Sequence, residues 1–239
     1  MTRTEIEVAD VIRAAGGEFL RQHRGYLSRA QLRTLDDLAA CRTCRNRHCP
    51  KCQAAARANW LAARQSELLP LPYFHLVFTL PQELAPLALQ NPRVMYGLLF
   101  RAASSTLLEV AADPRHLGAK IGLLAVLHTW GQNLMHHPHL HCVVPSGGIA
   151  ADGSRWISPP SDGFFLPVRV LSRVFRGKFL DLLGRAVVAG KLTFHGRLAD
   201  CTAAAAFEHR LNVSARREWV VYAKQPFGGP EVVLKYLAR

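Results

Sequence analysis

Histidines alternate with apolar residues along the segment 136–144, which reads His-His-Pro-His-Leu-His-Cys-Val-Val. Successive side chains of a β-strand point to opposite faces, so a strand here places His139 and His141 side by side on one face. Leu140 and Cys142 then lie on the other face, against a core. Neutral imidazole is a common metal ligand, and a strand holds two such rings at a fixed separation. The segment therefore predicts a half-buried strand that presents two histidines to a divalent metal.

The alternative for this segment is a histidine-rich surface loop. The apolar residues Val143 and Val144, which directly follow the histidines, favour a strand that runs into a core. A second strand-like run with a histidine of its own precedes the segment, and this also favours the metal site over the loop.

That second strand is predicted at 123–130, where the sequence is Leu-Leu-Ala-Val-Leu-His-Thr-Trp. If the two strands pair as antiparallel neighbours, His128 lies close to one of the two histidines of the first strand. We therefore expect His128 to be the third metal ligand, with Gln132 and His137 as the alternatives.

The chain is strongly basic. Its 239 residues carry 30 Lys and Arg against 17 Asp and Glu, which gives a formal net charge of +13 and a pI of about 10.1. The hydrophobic fraction of 49% is that of a globular protein rather than a disordered one. The charge predicts an anionic partner, and nucleic acid is favoured because binding to phosphates releases counterions.

The predicted location is the cytoplasm, with no membrane partner. The first twenty residues mix both charge signs and lack the apolar stretch of a signal peptide, and the longest apolar runs are too short to span a bilayer. The close grouping of most cysteines also favours metal binding over disulfides.

A cysteine cluster indicates a structural zinc site. Two Cys-x-x-Cys pairs are separated by four residues, and their paired thiolates are suited to closing a tetrahedron around Zn²⁺. The predicted ligands are Cys41, Cys44, Cys49 and Cys52, with His48 as a substitute for one of them. The rival interpretation, a redox Cys-x-x-Cys, normally lies in a βαβ context that is absent here.

Positive side chains lie among these cysteines. Arg45, Arg47 and Lys51 would place charge on a rigid zinc-bound loop, where they suit contacts to DNA phosphates.

The chain is predicted to have two regions. Residues 1–70 read as a helical zinc-binding DNA-recognition region, in which Gly16-Gly17 ends a first helix and Ser28 caps a second. Residues 71–239 read as a catalytic domain, because strands are predicted near 73–80, 123–130, 139–144 and 219–223, interleaved with helices.

Three motifs give the sequence a family resemblance. They are Arg-Asn-Arg-His-Cys-Pro-Lys-Cys at 45–52, His-Pro-His-Leu-His at 137–141, and Gly-Gly-Pro-Glu-Val-Val-Leu-Lys-Tyr-Leu-Ala-Arg at 228–239. With these motifs the chain resembles the two-tyrosine HUH transposases, which move bacterial insertion sequences by rolling-circle transfer and carry an amino-terminal zinc-binding region.

The resemblance implies a fold and a chemistry. The implied fold is of the α/β (α+β) class, with an HUH-type, mostly antiparallel sheet flanked by helices and preceded by a small helical zinc-binding module. The implied activity is the nicking and rejoining of single-stranded DNA at insertion-sequence ends. In that activity Tyr236 is the nucleophile, Mg²⁺ or Mn²⁺ is the catalytic metal held by the histidines, and Zn²⁺ is structural.

The sequence departs from the family pattern in two places. The cysteine region is shorter than is usual, and a second tyrosine one helical turn after Tyr236 would fall beyond Arg239, so the catalytic domain is expected to be incomplete at its carboxyl end. Two alternatives stay open: a relaxase or replication initiator of the same chemistry, and a non-catalytic zinc-dependent DNA-binding fragment. A zinc hydrolase fits poorly, because no carboxylate lies near the histidines as a general base.

Overall fold

The structure is a computed structural model that describes residues 8–40, 54–130, 135–160, 165–224 and 229–238. The strands, numbered along the chain, are β1 (Tyr73–Thr79), β2 (Ala119–Lys120), β3 (Leu124–Trp130), β4 (His136–Pro145), β5 (Gly148–Ala150), β6 (Trp156–Ile157) and β7 (Val221–Lys224). The helices are α1 (Val8–His23), α2 (Arg29–Ala40), α3 (Ala54–Ser66), α4 (Ala85–Gln90), α5 (Pro92–Ala112), α6 (Val168–Val188), α7 (Ala204–Ala215) and α8 (Pro230–Leu237).

A four-stranded antiparallel sheet in the order β3-β4-β1-β7 organises the structure. The histidine strand β4 is therefore central, paired on both sides. A smaller sheet in the order β2-β5-β6 contains the hairpin that turns at Asp152-Gly153, where Gly153 has φ +78°. Both the mixed helical and antiparallel class and the four predicted strands are confirmed.

One face of the main sheet forms the principal core. Alternation places Phe74, Leu76 and Phe78 of β1 on this face, beside Leu140 and Cys142 of β4, and all five are buried. Helices α4, α5 and α6 cover them. Burying an aromatic or aliphatic side chain of this size contributes about 1.5–3 kcal/mol, so this face accounts for much of the stability that holds the sheet together.

The opposite face of the sheet is covered in part by helices α3 and α8. Val233, Leu234 and Leu237 of α8 pack on Tyr73 and Val143 of the sheet, in a second apolar cluster. Trp60 and Leu61 of α3 and Leu124 and Val126 of β3 pack against this cluster. The last turn of α8 is thereby held beside the histidines of β3 and β4.

Helix α2 begins as predicted. The Gln31 backbone N–H donates to Ser28 Oγ at 3.3 Å, and Gln31 Oε1 accepts from the Ser28 backbone N–H at 2.8 Å. This reciprocal pair is a capping box, which satisfies two backbone N–H groups that a helix start leaves without partners. Ser28 is thus confirmed as the cap.

The predicted end of the first helix at Gly16-Gly17 is wrong, because α1 continues to His23. A glycine inside a helix costs only about 1 kcal/mol. The Glu18 carboxylate accepts hydrogen bonds from the side chains of Arg21 and Gln22, which lie three and four residues later. These pairs support the continuing turns of the helix. Packing of α1 on α2 also favours the longer helix.

Helix α5 is long and apolar enough to cross a membrane by length and composition, although the sequence predicts no spanning run. A single helix of this kind is weak evidence for a membrane span, since the core helices of soluble proteins share this length and composition. Met95, Leu99 and Leu107 of α5 are fully buried in the principal core, where the helix packs on α6.

His136, at the start of β4, joins the sheet to two helices. Its Nδ1–H donates to the Ala85 carbonyl of α4 at 3.2 Å, and its Nε2 accepts from the Tyr96 hydroxyl of α5 at 3.0 Å. The carbonyl oxygen can only accept, so Nδ1 carries a proton, and Nε2 of the neutral ring then accepts from the hydroxyl. Burial lowers the pKa of His136 from 6.5 to about 4 and raises that of Tyr96 to about 12.

His136 is therefore expected to make folding stability depend on pH. Between pH 6.5 and about 4 the unfolded chain binds a proton at this ring that the folded chain excludes, so the free energy of unfolding falls as the pH decreases through this range. His136→Gln removes this titrating ring. It is expected to reduce the slope of the free energy of unfolding against pH, by an amount that corresponds to the binding of at most about one proton. Urea unfolding between pH 7.5 and 4.5 on both proteins measures this, and equal slopes would contradict the assignment.

Candidate active site

Three histidines converge on the partly covered face of the main sheet. His128 of β3 lies directly opposite His139 of β4, and His141 follows two residues along the same strand. One ring nitrogen from each lies within 4.8 Å of the others, and the ring centroids are 4.5–5.6 Å apart. The alternation of β4 and the register of β3 produce this cluster from local geometry.

The ring of His139 is held by its own strand. Its Nδ1–H donates to the His137 carbonyl oxygen at 2.6 Å. Because the carbonyl can only accept, the ring proton is at Nδ1 and the Nε2 lone pair is available to a metal. His137 thus contributes its backbone oxygen, and its own ring is not a member of the cluster.

The ring of His141 is held by a residue of the neighbouring strand. Nδ1 of His141 lies 2.8 Å from Nε2 of His75 on β1, and the two rings stack with centroids 5.0 Å apart. The other nitrogen, His141 Nε2, is buried and has no hydrogen-bond partner among the described residues. A buried polar atom without a partner is costly, and a metal ion would satisfy it.

These observations show that the cluster fits a divalent cation. Burial and the neighbouring histidines lower the pKa of His139, and they lower the pKa of His141 to about 3. Near pH 7 these two rings are therefore neutral and able to act as ligands without first losing a proton. Three imidazole ligands would also leave room at a cation for further oxygen ligands.

Tyr236 lies beside this cluster. Its ring centroid is 5.8 Å from that of His128 and 5.9 Å from that of His141, and the residue is 41% exposed. The carbonyl oxygen of the next residue, Leu237, is 3.5 Å from His128 Nε2. Helix α8 therefore places the partly exposed side chain of Tyr236 at the edge of the histidine cluster.

The start of α8 depends on Gly229. This residue has φ +87°, a conformation that side-chain-bearing residues rarely adopt, and Pro230 follows at the first helical position. The helix that begins here packs its apolar residues on the sheet and carries Tyr236 beside the histidines.

The structure brings together the four site residues predicted in the region 71–239, which are His128, His139, His141 and Tyr236. His75 is not among the predicted site residues, although alternation along β1 places it on the same face as the cluster, where its ring contacts His141. The remaining predicted residues lie outside the part of the chain that the structure describes: Cys41, Cys44, Arg45, Arg47, His48, Cys49, Lys51, Cys52 and Gln132.

Two family profiles match the chain. Residues 39–80, which include the cysteine cluster, match the family described as "Transposase zinc-binding domain". Residues 122–239, which include the histidine cluster and Tyr236, match the family described as "Putative transposase".

The chain is also similar to two curated relatives. It is 51% identical to the "Putative transposase y4qJ" of Sinorhizobium fredii (strain NBRC 101917 / NGR234), in an alignment covering all of this chain and 65% of the relative. It is 39% identical to the "Transposase for insertion sequence element IS801" of Pseudomonas savastanoi pv. phaseolicola, over 47% of this chain and 27% of the relative. The chain thus spans less than two thirds of the length of the curated relatives it matches.

Among solved structures, the chain is similar to the conjugative relaxase TrwC in complex with DNA. The identity is 14%, the TM-score is 0.37, and the match covers 69% of this chain and 71% of the relaxase chain. At this TM-score the likeness is too distant to assign a function or a site.

Proposed function

The chain belongs to a family of transposases that carry a zinc-binding domain, and from this membership we propose that it nicks and rejoins single-stranded DNA at the ends of an insertion sequence. The observation that carries the proposal is the position of Tyr236, whose ring lies within 6 Å, centroid to centroid, of two of three clustered histidines. A nucleophile and a metal-ligand group so placed suit an attack on a phosphodiester.

The reaction would proceed by transesterification. The Tyr236 hydroxyl loses its proton as its oxygen bonds to phosphorus, the bond from phosphorus to the 3′ oxygen breaks, and that oxygen takes up a proton. The product is a 5′-phosphotyrosine link and a free 3′-hydroxyl. Attack of a 3′-hydroxyl on the link reverses these steps, so rejoining needs no nucleotide cofactor.

The histidines would hold a divalent cation. When bound, it supplies Lewis-acid stabilisation of charge on the scissile phosphate. His139 and His141 would each contribute Nε2, because their Nδ1 atoms are engaged by the His137 carbonyl and by His75. An all-imidazole set suits Mn²⁺ better than Mg²⁺, which prefers carboxylate and water oxygens. Of the two metals that the family resemblance implies, we therefore favour Mn²⁺.

The zinc-binding region would position the DNA. We assign Zn²⁺ to Cys41, Cys44, Cys49 and Cys52, with His48 as a substitute ligand, because they lie in the stretch that matches the zinc-binding domain. Arg45, Arg47 and Lys51 would contact phosphates. We propose a division into a DNA-recognition region of residues 1–70 and a catalytic domain of residues 71–239, which begins just before β1. The net charge of +13 supports DNA as the partner.

The first test is a covalent adduct. Purified protein incubated with Mn²⁺ and a labelled single-stranded oligonucleotide carrying an end of its own insertion sequence is expected to give an adduct that survives denaturing electrophoresis. Tyr236→Phe should abolish the adduct and leave DNA binding intact, since only the attacking oxygen is lost. Tyr222→Phe is the matched control, because Tyr222 is an exposed tyrosine on the edge strand β7.

An adduct that persists in Tyr236→Phe would contradict the assignment of the nucleophile. Salt-sensitive DNA binding by the wild-type protein with no adduct would instead favour a non-catalytic DNA-binding fragment.

The second test concerns the metal ligands. His139→Ala and His141→Ala are each expected to reduce nicking below detection, because a cation held by only the two remaining histidines is lost or misplaced. Each variant is expected to keep a DNA affinity within about threefold of wild type. A gel assay for nicking and fluorescence anisotropy for binding separate the two effects. His209→Ala, an exposed histidine of α7, should change neither. Nicking at the wild-type rate in either site variant would refute the metal assignment.

The third test concerns zinc. The purified protein is expected to contain about one Zn²⁺ per chain, measured by elemental analysis after dialysis. Cys49→Ser should lower that content and weaken DNA binding, because a thiolate ligand is lost. Cys201→Ala, at a buried cysteine in the principal core, should retain the metal. Equal zinc content in all three proteins would show that the cysteine cluster is not the site.

A further inference from the structure

His75 lies on the same face of the sheet as the histidine cluster but one strand away from His141. It is opposite Val143 of β4 and Lys224 of β7, while the next residue of β1 on this face, Val77, is opposite His141. The side chain of His75 therefore reaches His141 diagonally across the pair of strands. The two rings are nearly parallel, with an interplanar angle of 14°.

The 2.8 Å contact between His75 Nε2 and His141 Nδ1 can contain only one proton when both rings are neutral. If His75 donates, the His141 proton is at Nε2, where it is buried without an acceptor among the described residues. If His141 donates from Nδ1, its Nε2 has a free lone pair. In either arrangement His141 Nε2 has no hydrogen-bond partner among the described residues, but only in the second can it bind a cation, which would satisfy that atom.

We propose that His75 is a positioning residue that accepts the Nδ1–H of His141 and so fixes both the ring orientation and the tautomer in which His141 Nε2 is a metal ligand. This inference rests on the proposed function, because it assigns a purpose to His75 in the same metal site. A metal-binding histidine commonly requires such a partner at its second nitrogen.

His75 is not a fourth ligand. Its Nε2 is engaged by His141, and the group of potential ligands found in the described residues contains His128, His139 and His141 alone. The partner of His139 is a backbone group, the carbonyl of His137, which remains present when a side chain is replaced. The orientation of His141, in contrast, depends on a side chain that can be changed.

The test compares His75→Leu with His75→Gln. Leucine fills a similar volume and accepts no proton, whereas the glutamine side-chain oxygen can accept the His141 Nδ1–H. Nitrogen NMR of the metal-free protein, with the His141 signals identified from His141→Ala, reports which ring nitrogen carries the proton. Calorimetric titration with Mn²⁺ reports affinity. His209→Leu is the control for loss of a histidine elsewhere, and thermal unfolding verifies that each variant is folded.

In the wild-type protein and in His75→Gln the His141 proton is expected at Nδ1. In His75→Leu both tautomers should be populated and Mn²⁺ affinity should fall by about 10–100-fold, with most of it restored in His75→Gln. An unchanged His141 tautomer in folded His75→Leu overturns the positioning role, whatever the affinity. Failure of the wild-type protein to bind Mn²⁺ overturns the metal site of the proposed function itself, so the two failures are distinguishable.

Discussion

The pairing of β4 with β3 and β1 is the interaction on which the site depends. Its register places His128 opposite His139 and Val77 opposite His141. Side chains alternate with a period of two, so a slip of one residue would turn the β4 histidines into the principal core and Leu140 towards the site. Because Leu140 is fully buried on the other face, the free energy of core packing also holds the histidines in place.

The proposed site combines histidines on the sheet with a tyrosine on a separate element. The ring of His139 is held by the His137 carbonyl and the ring of His141 by His75. Both contacts use Nδ1, so Nε2 of each ring is not engaged by them. Tyr236 instead comes from α8, whose position is set by apolar packing of the helix on the sheet. The orientation of the histidine rings thus depends on hydrogen bonds, and the position of the Tyr236 side chain depends on hydrophobic contacts. Because the histidine rings and Tyr236 are held by different interactions, a substitution can perturb one without the other.

Local physical rules were sufficient for much of the fold and for part of the site. Strand alternation identified the shared face of His139 and His141, and capping chemistry identified Ser28. The prediction that Gly16-Gly17 ends α1 failed because the local preference of glycine, about 1 kcal/mol, is smaller than the support a helix gains from side-chain pairs and packing. The sequence also contains no local sign that His136 would join β4 to α4 and α5, since its partners, Ala85 and Tyr96, lie in other elements.

By itself the sequence determined the chemical groups of this protein: the alternating histidines, the cysteine cluster, the basic charge and the tyrosine near the end of a helix. These are properties of short segments, within which spacing along the chain fixes the relative positions of the side chains. Only the tertiary structure decided that His75 contacts His141 and that Tyr236 lies beside the cluster. His75 and His141 are 66 residues apart along the chain. Contacts at that separation follow from strand register and helix packing, which depend on the core as a whole rather than on any single segment.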